Sequence, residues 1–67
     1  MMNDETVYWQ VGFSAGKAMR RHDAGLARMQ RDWFTRAKAL ESGNDKRVAE
    51  EAYKRGYEEA ARGSDAF

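Results

Sequence analysis

Cysteine and proline are absent from this chain of 67 residues, and histidine occurs once, at His22. Without cysteine there is no disulfide framework and no thiolate metal site. A single histidine would leave any zinc site to carboxylates, so no metal and no cofactor is expected. No apolar run approaches the ~20 residues of a membrane-spanning helix, and no signal-peptide core follows Met1. The expectation is a cytoplasmic protein with no membrane association. Phosphate-binding glycine loops, nucleophile elbows and metal-ligand spacings are missing as well. Glu50-Glu51 and Glu58-Glu59 are the densest carboxylates. A catalytic pair needs a cleft that drives its two pKa values apart, and a short surface helix offers none. No catalytic residue is assigned, and the chain reads as a non-enzyme.

What is present is helical spacing. Gly12, Met19, Leu26, Trp33 and Leu40 recur every seven residues, with Tyr8, Ala15, His22 and Met29 in a second row between them. Read as a heptad, the first row takes the a positions and the second the d positions, a seam that keeps one side of a helix against a partner. Seam residues are therefore Tyr8, Gly12, Ala15, Met19, His22, Leu26, Met29 and Leu40, with His22 as a polar register device. A chain of this length buries a thin core. With disulfides and metals set aside, self-association is the expected staple.

No proline interrupts the pattern between Asp4 and Glu41. Asn3 and Asp4 offer N-cap oxygens, and Asp4-Glu5 place acids in the first turn, where the helix dipole favours them. Ser42-Gly43-Asn44 is the strongest punctuation: Gly43 suits a left-handed position, and Asn44 or Asp45 can cap the next helix. Gly63 stops that helix, and residues 64–67 form a tail. The predicted fold is all-α and a single domain over residues 1–67. It is an antiparallel helical hairpin of one long helix (4–41), a turn (42–44) and a short helix (45–62), dimerising into a bundle. An alternative breaks the long helix at His22-Asp23-Ala24-Gly25, giving three helices.

The second helix carries a stripe of small or slender residues, Val48, Ala52, Gly56 and Ala60, beside Ala49, Tyr53, Tyr57 and Ala61. Small residues let another backbone approach closely, and flanking tyrosines add large amphipathic area. Gly56 would otherwise be a loss relative to alanine. Gly12 and Gly16 repeat the idea in the first helix. Val48, Ala52, Tyr53, Gly56, Tyr57 and Ala60 are accordingly assigned to helix packing.

Trp9 and Phe13 fall off the seam, four residues apart, with Gly16 and Arg20 continuing their side. Phe34 lies opposite the seam. A lone hairpin cannot cover aromatics on both sides of its long helix, and exposed apolar patches mark interfaces. Trp9, Phe13, Arg20, Trp33 and Phe34 are the candidate partner-binding residues, Trp and Arg being frequent anchors.

Net charge is +1, but seven bases and two acids lie between Lys17 and Lys38, and seven acids with five bases from Glu41 onward. The basic middle supplies an alternative role in nucleic-acid or ribosome binding through Arg21, Arg28, Arg31, Arg36 and Lys38.

The segment Ala52-Tyr53-Lys54-Arg55-Gly56-Tyr57-Glu58-Glu59-Ala60-Ala61-Arg62-Gly63 resembles the first-helix segment of the ribosome modulation factor family. Trp9-Gln10-Val11-Gly12-Phe13-Ser14-Ala15-Gly16 is similar to that family's tryptophan-glycine second-helix segment. The segments stand in the opposite order here, and the family's Cys-Pro-Tyr linker is missing. The resemblance implies a tiny helical hairpin and a ribosome-binding role. The reading that the residues carry furthest is a small interaction protein that binds and inhibits or adapts a larger cellular protein. Its size suits a phage or mobile-element accessory factor.

Overall fold

A computed structural model describes residues 4–63. The N-cap oxygens expected from Asn3 and Asp4, and the tail after Gly63, lie outside the described residues and side chains. The architecture is all-α, with three helices: α1 (Asp4–Arg20), α2 (Ala24–Ala39) and α3 (Asn44–Ala61). The expected continuous helix over 4–41 is therefore corrected: it is two helices, and the two-helix hairpin becomes a three-helix arrangement.

The break has a local cause. His22 adopts φ of 60°, the left-handed position that ends many helices. Its N–H donates to the Met19 carbonyl at 3.0 Å and the Asp23 N–H to the Ala18 carbonyl at 2.8 Å. This pair of bonds satisfies carbonyls that the last turn of a helix leaves open. Asp23 then starts the next helix, its Oδ1 accepting from the Leu26 N–H at 3.1 Å. Gly25 takes no part in the reversal and lies inside the first turn of α2. The seven-residue spacing runs on across the break because three connecting residues happen to preserve it; spacing alone does not report backbone direction.

Folding back also buries more than an extended arm would. α1 becomes the central element, with α3 along one side and α2 along another, while the backbones of α2 and α3 meet over little of their length. Gly43 has φ of 56° but ψ of −128°, a conformation open to glycine yet outside the left-handed helical region expected there. α2 is closed instead by Leu40, whose N–H donates to the Ala37 carbonyl. Gly43 is itself the N-cap residue of α3, so neither Asn44 nor Asp45 takes that position. At the far end, the Arg20 Nη1 donates to the Ala60 carbonyl at 3.4 Å, setting a cation against the C-terminus of α3, where the dipole favours it.

Packing of α1 on α3 is backbone against backbone. A Cβ placed on Gly12 would fall on the Tyr53 carbonyl, and one on Gly56 would fall on the Trp9 carbonyl and lie 2.8 Å from the Phe13 nitrogen. A Cβ on Gly16 would stand 2.7 Å from the Ala60 Cβ. The three glycines thus interlock. Ala49, Ala52, Gly56 and Ala60 form the buried face of α3, so Ala49 is inside and Val48 is only partly buried.

α2 is attached differently, by rings. Phe34 is buried between Tyr8 and Tyr53: its centroid is 5.7 Å from Tyr8 in an edge-on arrangement and 4.2 Å from Tyr53 in a stack. Val11 and Ala37 pack around this cluster.

Candidate functional site: an apolar face and a basic groove on α2

Two surfaces of opposite character flank the buried edge of α2. The first is the stripe Leu26, Met29, Trp33 and Leu40, with 39, 63, 47 and 88% of their surfaces exposed. Spacings of three, four and seven put them on one side of the helix. Trp33 keeps one edge against Tyr8, at a centroid distance of 6.3 Å. An apolar row of this kind on so small a protein is a feature of interaction surfaces.

The second surface is a groove of ≈ 820 Å³ between α2 and α3. Its lining ends on α2 at Lys38, whose Nζ pairs with the Glu50 Oε1 at 2.9 Å. Phe34 stacked on Tyr53 forms its inner corner. Met19, Ala27 and Tyr57 continue the floor, and Arg28, Arg31 and Lys54 stand on its walls beside a single acid, Glu58. Among the described residues, Arg28, Arg31 and Lys54 make no ion pair.

Electrostatics follow from these placements. The Lys38 ammonium holds the Glu50 carboxyl below its usual range by hydrogen bond and charge, an effect moderated by the solvent around this half-exposed pair. Burial pushes the Tyr53 hydroxyl above the usual phenol value, opposed by the positive charge of Arg31. Arg31 therefore acts electrostatically on the aromatic floor of the groove. Lys38 also stands over the Phe34 ring, 5.5 Å from its centre.

The residues singled out from sequence distribute unevenly over these surfaces. Of the expected seam, Tyr8, Gly12 and Ala15 are buried within the protomer, so the seam is not one continuous self-interface. Met19 opens into the groove, His22 stands exposed in the turn, and only Leu26, Met29 and Leu40, with Trp33, share the outer face of α2. Among the expected partner-binding residues, Phe13 is fully enclosed and Phe34 is buried. Their assignment to an exposed docking patch is corrected, because α1 has neighbours on two sides and leaves neither ring uncovered. Trp9 is half-buried and stacks on Phe13 at 5.0 Å. Arg20 lies at the end of α3, and Trp33 keeps its place on the surface. Of the basic set, Arg28, Arg31 and Lys38 come together at the groove, whereas Arg21 and Arg36 do not line it.

The groove was not visible in the sequence. Its signals are Tyr53 and Tyr57 on the side of α3 next to the small stripe, and Phe34 four residues before Lys38, but only the break at His22 brings them face to face.

Among the described residues, no group of three histidines, cysteines, aspartates or glutamates is placed to hold a metal ion. No described helix is long and apolar enough to cross a membrane. No protein-family model, curated protein or solved structure matches the chain.

Proposed function

We propose that this chain is a small, non-enzymatic interaction protein that pairs with itself through the outer face of α2 and binds and modulates a larger protein. The observation that carries the reading is the exposed row Leu26, Met29, Trp33 and Leu40. A protomer this small has little core to stabilise it alone, and these side chains keep the heptad spacing that pairs helices. Polar replacements at Met29 and Leu40 remove little protomer packing, since both are largely exposed.

The test is solution mass by light scattering across concentration, on the wild type and on Met29→Glu with Leu40→Glu. The wild type is expected to be dimeric, and the double variant monomeric with unchanged helicity. Partner capture from lysate is expected to fall in the same variant, because a dimer presents its partner site twice. A wild type that stays monomeric at every concentration, with capture unaffected by the substitutions, removes the reading.

A second reading, a ribosome- or RNA-binding modulator, is supported by one observation: Arg28 and Arg31 stay exposed beside the aromatic rings of the groove. Arginine next to stackable rings is a common element of single-stranded RNA sites.

A further inference from the structure

We propose that the groove between α2 and α3 is a docking site for an acidic amphipathic helix of a partner protein, which lies in it as a fourth helix. The inference rests on the reading of the chain as a protein-binding module, and it gives that module a partner chemistry and a site apart from the outer face of α2.

Shape is the first argument. The groove lining runs on α2 from Ala24 to Lys38, which at 1.5 Å per residue is a trough about 21 Å long. Four turns of helix have that length. The trough is open to solvent along its length and flanked by two helices that diverge from a common corner, the geometry into which a helix places one face. Its floor of Met19, Ala27, Phe34 and Tyr57 is apolar or aromatic and suits leucine-like side chains at spacings of three and four.

Charge sets the partner's flanks. Arg28 and Arg31 stand on the α2 wall and Lys54 on the α3 wall, without carboxylate partners of their own. Lys38 is already engaged by Glu50. Arg28 and Arg31 call for acids on the flank that meets α2, and Lys54, which shares its wall with Glu58, for an acid on the other. A second copy of this chain fits poorly. The exposed row on α2 carries Arg36 at its own spacing, three residues after Trp33 and four before Leu40, and would bring that cation against those of the groove.

The experiment uses the full chain labelled with ¹⁵N and three probes: a peptide of sixteen residues with leucines along one face and glutamates on both flanks, the same peptide with lysine in place of glutamate, and a twelve-nucleotide oligouridine. The glutamate peptide is expected to shift the amides of Ala27, Phe34, Tyr53 and Tyr57 saturably, and to bind more weakly as salt rises. Charge reversal by Arg28→Glu with Arg31→Glu is expected to weaken it about tenfold. Lys54→Glu tests the other wall in a variant that leaves α2 untouched. The lysine peptide is expected not to bind.

Any of these results overturns the proposal: no saturable shifts with the glutamate peptide, shifts at Met29 and Leu40 instead of the groove, equal affinity after both sets of charge reversals, or oligouridine saturating the groove amides in place of the peptide. Concentration-dependent shifts of the groove amides without any probe would assign the site to a second copy and overturn it too. Loss of peptide binding with self-association through Met29 and Leu40 intact would sink this inference alone. The function reading fails separately, on the mass and capture measurements.

Discussion

The two interfaces of α1 are built on opposite plans. Against α3 its closest approach is main chain to main chain, at Gly12, Gly16 and Gly56, with Ala52 and Ala60 beside them. Against α2 the joint is a cluster of large rings around Phe34. Close backbone approach multiplies many small dispersion terms over a long line and tolerates no added volume. A ring cluster concentrates its contribution at one point and leaves the rest of α2 free to present other surfaces. The tight pair is the scaffold, and the loosely held helix carries both candidate interaction surfaces.

The sharpest way to break this contrast is to add volume at the tight interface. Gly56→Val is expected to abolish cooperative folding, because the new side chain meets the Trp9 carbonyl and Phe13 nitrogen and neither backbone group can yield. Overpacking costs about 1–3 kcal/mol where neighbours can adjust, against a total of only about 3–10 kcal/mol for a domain of this size. Urea denaturation followed by circular dichroism reads the outcome; a wild-type midpoint would mean the helices stand further apart than described.

Removing volume at the other joint should act locally. Phe34→Ala is expected to cost about 3 kcal/mol and to release α2, leaving α1 and α3 paired. Hydrogen exchange would then show fast amides in α2 and slow ones at Ala49 and Ala52. Uniform loss of protection in all three helices would show that the two interfaces form one cooperative unit.

Smaller effects sharpen the picture of the reversal and of the ring cluster. His22→Gly is expected to raise stability by about 1 kcal/mol, since glycine takes the left-handed conformation without the Cβ penalty. A continuous helix through this region would instead be weakened by the same change. The Tyr53 phenol is held above its ordinary value by burial. Its protonated form is favoured in the folded state, so the stability it contributes is complete below pH 10 and is lost as pH rises through the folded value. Phenolate absorbance should show a late-titrating component that Tyr53→Phe removes, together with that part of the alkaline destabilisation.

The scaffold half of the molecule could be read from sequence, and for a physical reason. A glycine in the middle of a helix is a cost unless another backbone needs the space, so Gly12, Gly16 and Gly56 point to close packing by themselves. The arrangement of α2 could not be read in the same way. Its attachment depends on a histidine in a conformation usually left to glycine, and on Asp23, an ordinary acid until it is seen to accept from Leu26. Phe13 looked like a surface residue because one helix was counted as having one partner face. A central helix has two, and the heptad that appeared to be a single seam is divided between them. Trp33 and Met29 stay together on the outer side of a half-covered helix.

Asp23 has a further consequence through its position between two hydrogen-bond ladders. Its N–H belongs to the closing turn of α1 and its carboxylate to the opening turn of α2. Fraying at either helix end therefore disturbs the other, and thermal opening of this corner is a joint event rather than two independent ones. A ligand that clamps α2 would slow amide exchange at the end of α1 without touching it.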